Sequence, residues 1–388
     1  MDVPADPELY VPKGFVVKRY FTGLQKSRYL QYTPEGNILV SESDMTRISC
    51  LLDTDNDGYL GQRITIANEN NGLTYPFGIA FVNGYLYSGN LYNIRRYNWT
   101  GCSQQLSDVG EIIMNYTGVR HITRTIVIPP VEDRMYVSIG SASNVDIELI
   151  PLASIQVTDL DGGNQTTFAS GPRNAVGLAL HPITHDLYTS CQERDEIGDE
   201  LVPDYFTRVQ EEDFFDWPYA YLSPDFIDPR HKFYNGSSVR PDLAALTRTP
   251  DVLIKAHSSA LGVAFYTGQQ FPERYRNGAF VALRVSDSRE EPTGSKIIFI
   301  PFHNSTHRPL GYYEDFVRGF LYNRTRVFGW PVGLLVLKDG SLIFTDNANS
   351  ETYQVQCVGE KNSAFYLIPN IYSIIVSCIF LITLFFSM

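Results

Sequence analysis

A set of histidine, arginine, asparagine and acidic residues recurs beside short apolar stretches of this chain. His121 and Arg173 illustrate the pattern, because an apolar stretch begins five residues after His121 and two residues after Arg173. An imidazole titrates near neutral pH and can carry protons, and arginine guanidinium groups bind carboxylates through paired hydrogen bonds. The chemistry predicted for the set is therefore proton transfer next to a bound anion. The set consists of Arg120, His121, Arg173, Asn174, Glu193, Arg194, Asp195, His257, Arg284 and Arg289.

The elements that must position these residues form an internal repeat. Its unit is an apolar strand, a turn with glycine or aspartate, and a second strand, as in Val-Gly-Leu-Leu-Val-Leu-Lys-Asp-Gly-Ser-Leu-Ile-Phe-Thr at 332–345. Glu-Gly, Asn-Gly and Asp-Gly pairs favour tight hairpin turns. Six copies, roughly 45 to 85 residues apart, are typical of propeller blades. The copies occupy residues 29–41, 78–88, 123–138, 176–189, 261–283 and 332–345.

We therefore predict an all-β fold, a six-bladed β-propeller over residues 1–358 with long loops over the mouth of its channel. A single blade cannot bury both faces of its sheet, so the ring must close. No helical periodicity is sustained before the C-terminal tail, which disfavours all-α and doubly wound α/β folds. The longest irregular stretch, residues 193–250, is expected to lie over the mouth, where the recurring polar residues converge.

Composition excludes some partners and indicates a compartment. The formal net charge is -12, and without a long basic run the chain lacks the clustered cations that nucleic-acid binding needs. None of the five cysteines has CxxC spacing, and the four before the tail would suit two disulfides in an oxidising compartment or remain free buried thiols. Six glycosylation sequons indicate a secreted glycoprotein. They begin at Asn98, Asn115, Asn164, Asn235, Asn304 and Asn323.

The two ends of the chain carry different signals. Residues Met1–Pro7 show neither the basic nor the apolar region of a signal peptide, so we expect an incomplete N-terminus. Residues 371–388 are almost wholly apolar and follow a spacer at 359–370. We expect a GPI-attachment signal with its attachment site near 362–364, and a retained transmembrane anchor is the alternative. The protein is thus expected outside the cell, contacting the membrane only through this tail.

Several known motifs are absent or incomplete. Residues 53–58, Asp-Thr-Asp-Asn-Asp-Gly, match the first half of an EF-hand loop, but Ile64 stands where the loop requires glutamate. We therefore interpret this segment as a turn within a blade. No phosphate-binding glycine loop, HExxH or GxSxG motif occurs. The sequence therefore gives no motif that supports serine-nucleophile or zinc-protease chemistry.

Several segments resemble the glucose/sorbosone dehydrogenase family, whose members are sugar dehydrogenases dependent on pyrroloquinoline quinone (PQQ). The central ones are Gly-Pro-Arg-Asn-Ala-Val-Gly-Leu-Ala-Leu-His-Pro at 171–182, Gln-Glu-Arg-Asp-Glu-Ile-Gly-Asp-Glu-Leu-Val-Pro-Asp-Tyr at 192–205 and Phe-Asp-Trp-Pro-Tyr at 215–219. Residues 121–126 with 139–144 resemble the blade that bears the family's histidine. The segments 255–262 and 329–333 also fit, so the resemblance spans roughly 14–355.

The resemblance implies a mechanism. His121 would be the general base that removes the proton from the anomeric hydroxyl while hydride leaves C1 for the quinone. Arg173 would lie beside the quinone carbonyl and Asn174 would hydrogen-bond PQQ. A Ca²⁺ ion, held by PQQ and by backbone or carboxylate oxygens, would polarise the same carbonyl. Candidate metal ligands are Glu193 and Asp195, and the further cofactor-binding candidates are Arg194, His257, Arg284 and Arg289.

One segment departs from the family pattern. Sorbosone-type relatives read His-Gly-Ser-Trp-Asn-Arg where this chain reads Arg-Val-Ser-Asp-Ser-Arg at 284–289. The change predicts an altered sugar pocket or lost cofactor binding. We expect a PQQ-dependent enzyme that oxidises an aldose or pyranose at C1 and passes electrons to a quinone or a haem protein. The alternative is a non-catalytic cell-surface propeller that binds carbohydrate or protein, and a Ca²⁺-centred hydrolase or lactonase is less favoured.

Overall fold

The computed structural model describes residues 8–54, 60–117, 120–130, 132–285, 288–323 and 326–359. Over these residues six small sheets form a ring, which confirms the six-bladed β-propeller. Each of the six sequence repeats forms the two innermost strands of one blade. The N-terminal residues Met1–Pro7 and the apolar tail lie outside the described residues.

Blades 1 to 3 are each built mainly from strands that follow one another along the chain, after a first strand, β1 (Phe15–Thr22). Blade 1 contains β2 (Ser27–Tyr32), β3 (Ile38–Glu42), β4 (Arg47–Leu52) and β5 (Gln62–Ala67), and blade 2 contains β6 (Ile79–Val82), β7 (Tyr85–Gly89), β8 (Asn93–Asn98) and β9 (Glu111–Asn115). Blade 3 contains β10 (Ile126–Val127), β11 (Arg134–Ile139), β12 (Ser154–Asp159) and β13 (Thr166–Ser170), extended by β17 (Asp213–Phe214).

The remaining blades follow the same plan. Blade 4 contains β14 (Asn174–Leu180), β15 (Leu187–Gln192), β16 (Asp204–Val209) and β20 (Val252–Ile254), and blade 5 contains β21 (Ala260–Phe265), β22 (Ala279–Leu283), β23 (Lys296–Ile300) and β24 (Glu314–Val317). Blade 6 contains β27 (Pro331–Val336), β28 (Leu342–Asp346) and β29 (Glu351–Cys357). Two small hairpins are β18 (Ala220–Tyr221) with β19 (Ser223–Ile227) and β25 (Leu321–Asn323) with β26 (Arg326–Val327). Helical turns are confined to α1 (Pro241–Ala244) and to 3-10 turns at Ser43–Met45, Glu69–Asn71, Pro229–His231 and Glu273–Tyr275 among the described residues.

The ring is closed by pairing the two ends of the described chain. Strand β1 lies antiparallel to β29, with Phe15 opposite Cys357, and forms the outermost strand of blade 6. Aromatic side chains fill the space between neighbouring blades, and Phe271, Phe280 and Phe316 pack with Phe15 where blades 5 and 6 meet. Each fully buried phenylalanine contributes about 1.5–3 kcal/mol of transfer free energy. Closure is therefore stabilised both by backbone pairing and by packing.

Strand direction defines two faces of the propeller. The innermost strand of every blade begins at one face, which we call the mouth, and ends at the other, which we call the funnel face. The candidate site residues lie at the mouth because they precede innermost strands or follow second strands. The stretch 193–250 is less irregular than predicted, since it contains β16 to β19. Part of it does lie at the rim of the mouth, where Trp217 Nε1 donates to the Asn144 carbonyl (2.9 Å).

One predicted covalent link is present and one is not. Cys50 in blade 1 is bonded to Cys102, which follows the third strand of blade 2. Cys191 and Cys357 are free thiols in blades 4 and 6, so the prediction of a second disulfide among the four cysteines was wrong. The EF-hand-like segment begins between β4 and β5, as a blade turn should, although residues 55–59 lie outside the described part of the chain. In that same part, no helix is long and apolar enough to cross a bilayer.

Candidate functional site

His121 lies at the mouth, five residues before β10, and its orientation is fixed by one turn. Its Nδ1 lies 2.8 Å from the Ser141 carbonyl oxygen and 3.0 Å from the Ser141 hydroxyl. The hydroxyl donates its own hydrogen to the Ser143 carbonyl (2.7 Å), so both Ser141 oxygens act as acceptors towards the ring. This assigns the hydrogen to Nδ1 and leaves the lone pair on Nε2. Nε2 is therefore the atom that can take a proton.

The surroundings of His121 keep the ring uncharged. Burial lowers the pKa of His121 from 6.5 to about 3, and the positive charge of Arg173 acts in the same direction. A cation is disfavoured in a poorly solvated place and next to another cation. The ring therefore stays neutral, as a proton acceptor must, throughout the physiological pH range.

Arg173 is enclosed beneath the mouth rather than exposed in it. Its side chain is 3% exposed. Its Nε donates to the Asn144 carbonyl (2.9 Å), one terminal nitrogen donates to the Glu193 carbonyl (2.7 Å), and the other to Asn144 Oδ1 (3.0 Å). Burial lowers the pKa of Arg173. The sequence predicted direct contact with a ligand, whereas the structure makes this guanidinium a fixed charge below the site.

Asn174 presents an unused acceptor beside His121. Its Nδ2 donates to Gln192 Oε1 (3.1 Å), while its Oδ1 is buried and has no hydrogen-bond partner within the described residues. A Cβ placed on Gly140 would lie 2.4 Å from that Oδ1 and 2.6 Å from His121 Cβ. Gly140 therefore lets the two side chains from blades 3 and 4 approach each other.

Other buried polar atoms at the mouth are also unsatisfied. Native structures leave few such atoms, and each one calls for an explanation. Four such atoms within the described part of the chain come from blades 1, 3, 4 and 6, where an anionic or polar ligand would supply hydrogen-bond partners. They are Arg28 Nε, Thr123 Oγ1, Asn174 Oδ1 and Asn347 Nδ2.

Asp195 and His257 form a hydrogen bond with each other beside Arg173. His257 Nδ1 lies 3.1 Å from Asp195 Oδ1, and its Nε2 lies 3.0 Å from the Gly198 carbonyl. Asp195 Oδ2 is 3.9 Å from Arg173. Both ring nitrogens of His257 thus face acceptors on the loop after β15. The predicted cofactor contact of His257 is replaced by a role in fixing that loop.

Glu193, the other predicted metal ligand, is buried directly after the second strand of blade 4. One of its carboxylate oxygens accepts from the Arg194 backbone amide (3.2 Å). Burial raises the pKa of Glu193 to about 8 despite the nearby Arg173. Among the described residues no three His, Cys, Asp or Glu side chains are grouped as metal ligands. The structure therefore does not assemble the predicted carboxylate pair, and the calcium site remains a prediction.

Arg194 and Arg289 are engaged in building loops. Arg194 forms a buried ion pair with both oxygens of Asp228 (2.9 and 2.8 Å). Arg289 bonds to Glu200 (2.6 Å) and to the carbonyls of Asp199 and Ala256 (2.9 and 3.1 Å). Sequence reasoning placed both residues in the cofactor site because they flank family segments. The structure instead uses their guanidinium groups to tie loops together.

Arg284 does reach the mouth, where it meets an aromatic ring from the next blade. Its guanidinium carbon lies 4.3 Å from the centre of the Trp330 ring, and Lys26 Nζ from blade 1 lies 5.8 Å from the same ring. Trp330 thus supplies an aromatic group at the mouth, although the tryptophan of the family's 284–289 pattern is missing. Residues 286 and 287 of that segment lie outside the described residues.

Sequence reasoning gave no individual role to several residues that the structure places in this site. Arg28 directly precedes the first repeat, and Asn174 lies two residues before the fourth. The rule that selected polar residues just before an innermost strand would therefore have selected Arg28 as well. Gln192 ends a second strand and orders Asn174. Asn144 had no comparable signal, because its importance arises from contacts between two blades. The overlooked set is Lys26, Arg28, Ser141, Asn144, Gln192 and Trp330.

The glycosylation sequons can be placed on the surface. Asn98, Asn115, Asn164, Asn235 and Asn304 are all exposed. The side chain of Asn323 lies outside the described residues. Exposure is what a glycan acceptor needs, and glycosylation itself remains a prediction.

The fold and the mouth together define a six-bladed propeller with an oriented, uncharged histidine, buried arginines and unsatisfied polar atoms around one end of its channel. The sequence model of the TrAA12-like family matches residues 9–204. The chain therefore belongs to the TrAA12-like family. The resemblance to PQQ-dependent sugar dehydrogenases inferred from the sequence is confirmed at this level.

Relatives and solved structures agree with this placement. An uncharacterized protein of Borreliella burgdorferi is 28% identical over 363 residues, covering 89% of this chain and 90% of the relative. The calcium structure of a Trichoderma reesei enzyme of carbohydrate-active family AA12 matches with a TM-score of 0.76 and 18% identity, covering 92% of this chain and 98% of that one. The holo PQQ domain of Coprinopsis cinerea pyranose dehydrogenase matches with a TM-score of 0.74 and 17% identity, covering 91% and 99%. At these identities the structures establish the fold.

Proposed function

We propose that this protein is a PQQ-dependent dehydrogenase that oxidises a sugar, an aldose or related pyranose, at C1. The observation that carries the proposal is the neutral His121 with its free Nε2, held beside Asn174 at the mouth of a propeller of this family. The match to the PQQ domain of pyranose dehydrogenase supports the choice of cofactor. The non-catalytic alternative would also explain unsatisfied polar atoms at the mouth, but it does not require an oriented proton acceptor among them.

The residues at the mouth fit PQQ. Arg28 and Arg284 supply positive charge for its carboxylates, and arginine forks suit such groups. The unpartnered Asn174 Oδ1 and Thr123 Oγ1 offer polar contacts. Trp330, on which Arg284 packs, supplies an aromatic surface. When bound, PQQ would supply the carbonyl that accepts hydride.

The protein's own groups account for the proton. His121 Nε2 would remove the proton from the anomeric hydroxyl as the C1–H bond breaks with its electron pair, giving the lactone. The Ser141 carbonyl orients the ring and stabilises the hydrogen on Nδ1 while the proton is held at Nε2. Arg173 favours prompt return of that proton to solvent, because a cation beside an imidazolium raises its free energy.

The proposed setting is the outside of the cell, with the protein held at the surface by its C-terminal tail, most simply through GPI attachment. The exposed sequons support a secreted protein, as does the Cys50–Cys102 disulfide, since such bonds persist in oxidising compartments. The proposal includes a Ca²⁺ ion with the cofactor, and its ligands would be oxygens of PQQ and of the backbone.

The test is to purify the protein, add PQQ with and without Ca²⁺, and remove unbound cofactor by gel filtration. We expect retention of PQQ at micromolar concentration and reduction of a dye when a panel of sugars is supplied. Retention without dye reduction by any sugar would favour the carbohydrate-binding or protein-binding alternative. Failure to retain PQQ would overturn the proposal.

A further inference from the structure

Two openings lie at opposite ends of the propeller axis, and they are chemically different. The mouth carries His121 and Asn174. The other opening, the funnel, has a volume of about 620 Å³ and is lined by the ends of innermost strands from all six blades, including Leu180, Phe265 and Val336. The mouth therefore presents polar side chains, whereas the wall of the funnel combines apolar side chains with polar backbone and side-chain groups.

The channel is closed between the two openings. Five side chains from blades 1, 2, 4, 5 and 6 pack together across it and leave a space of about 30 Å³, room for about one or two water molecules. The innermost strand Asn174–Leu180 spans roughly 20 Å at about 3.3 Å per residue. A molecule in the funnel thus has no open path to the mouth. The five residues are Tyr29, Phe77, Val176, Leu261 and Val332.

The C-terminal end of the propeller leaves from the funnel face. Strand β29 runs in the same direction as β27, because each is antiparallel to β28. Leu342 lies opposite both Val336 and Val355, so Val355 is level with the funnel lining. The Cys357 amide then donates to Gln270 Oε1 (2.8 Å), on the loop that follows the funnel residues of blade 5. The residues leading to the apolar tail therefore start at the funnel rim.

From this arrangement we infer that the funnel face is turned towards the membrane and that the mouth faces away from it, so that the electron acceptor is water-soluble. A GPI attachment at 362–364 leaves only three to five residues after Gly359, at most about 18 Å of chain. That stretch of chain is shorter than the roughly 20 Å of strand that separates the two faces, so the attachment point itself stays on the side of the funnel face. A quinone dissolved in the bilayer would meet the funnel and the five side chains that close the channel, whereas the candidate site opens at the mouth on the opposite face.

The statement about orientation rests on the proposed attachment through the tail, and the statement about the acceptor rests in addition on the proposed sugar oxidation. Oxidation at C1 releases two electrons and two protons, and an acceptor must take the electrons at the mouth before the next turnover. A soluble dye, a soluble quinone or a soluble haem protein can reach the mouth directly. A long-chain quinone held in the lipid cannot do so without leaving the bilayer.

Orientation is measured without any enzyme assay. The full chain, made in a secretory host so that its tail is processed, is incorporated into phosphatidylcholine vesicles that contain a rhodamine-labelled lipid. A fluorescent amino acid is placed at Met45, which is 42% exposed on the mouth-side turn between β3 and β4. The matched control places it at Asp133, exposed on the funnel-side turn between β10 and β11. We expect strong energy transfer to the lipid dye from position 133 and weak transfer from position 45.

The acceptor is tested in the same vesicles after loading with PQQ. We expect a water-soluble dye to be reduced at least 10-fold faster than a long-chain quinone in the lipid. Equal or reversed energy transfer, a protein that does not bind vesicles, or equal reduction of the two acceptors would overturn the inference. The predicted energy transfer without sugar oxidation would leave the orientation standing and refute the proposed function instead.

Discussion

Asn144 holds Arg173 by two hydrogen bonds, one from Nε to its backbone carbonyl (2.9 Å) and one from a terminal nitrogen to its Oδ1 (3.0 Å). The same Oδ1 accepts from the Asp195 amide (3.0 Å), and Asn144 Nδ2 donates to the Asp195 carbonyl (3.2 Å). One residue of blade 3 thus fixes a charge and a loop of blade 4. Through Arg173 it also affects the pKa of His121.

Replacing Asn144 by alanine should therefore slow catalysis without removing the base. The variant loses three side-chain hydrogen bonds, which costs about 1–3 kcal/mol of folding free energy. We expect kcat to fall on the order of 10-fold or more, because small displacements of groups around a reacting atom are costly. The matched control is Asn90→Ala, a buried asparagine in the equivalent turn of blade 2 with a similar number of bonds. A similar loss of kcat in the control would show that the effect is general destabilisation.

The acid limb of the pH–rate profile should lie unusually low. His121 has a pKa of about 3 instead of 6.5, so the base is neutral and active from about pH 4 upwards. Replacing Arg173 by glutamine removes a charge that lowers this pKa, so the acid limb should move to higher pH, while burial, the larger cause, keeps it below pH 6.5. Arg173→Lys keeps the charge, and its acid limb should stay low. An acid limb near pH 6.5 in the unmodified protein would contradict this account of His121.

Adding one methyl group at Gly140 should disturb the site more than the fold. In Gly140→Ala the new Cβ meets Asn174 Oδ1 at 2.4 Å and His121 Cβ at 2.6 Å. Displacement of these side chains should weaken PQQ binding 10-fold or more and cost about 1–3 kcal/mol of stability. In the control, Gly61→Ala, the nearest atom lies 3.4 Å away, and binding should be unchanged. Fluorescence titration with PQQ measures both, and equal affinities for the two variants would refute the contact.

The Cys50–Cys102 disulfide should contribute measurably to stability. It closes a loop with a sequence separation of 52, for which chain entropy predicts about 4 kcal/mol. Replacing both cysteines by serine should lower the free energy of unfolding by about 2–4 kcal/mol in denaturant titrations. Replacing the buried free Cys191 by serine instead should leave the disulfide intact in non-reducing peptide maps. Loss of the 50–102 peptide link in that variant would mean that the cysteines pair differently.

The sequence was sufficient for the fold because the blade repeat is local. Each copy encodes its own hairpin through two apolar strands and a turn with glycine or aspartate, and six copies of such a unit permit few architectures. The same locality located the mouth, since residues just before an innermost strand, such as His121 and Asn174, must converge. What the residues do there depends on contacts between blades, which no local pattern records.

Arg194 and Arg289 show why site assignment went further than the sequence allowed. Arg194 stands in a segment that resembles the family, and Arg289 is the arginine kept in the segment that departs from it. Their guanidinium groups nevertheless bind Asp228 and Glu200, which lie 34 and 89 residues away. Asn144 shows the opposite case, because its importance comes from partners 29 and 51 residues away. Hydrogen bonds between residues far apart along the chain decided these outcomes in each case.

The most direct test of the central claim is a single-turnover experiment on PQQ-loaded protein mixed with sugar in a stopped-flow spectrometer. We predict that the bound cofactor is reduced in the unmodified protein and that His121→Gln, with the same PQQ affinity, is slowed by a factor of about 10²–10⁴, the usual contribution of a general base. Equal rates in the two proteins, or no reduction by any sugar tested, would contradict the assignment of this mouth as a sugar-oxidising site.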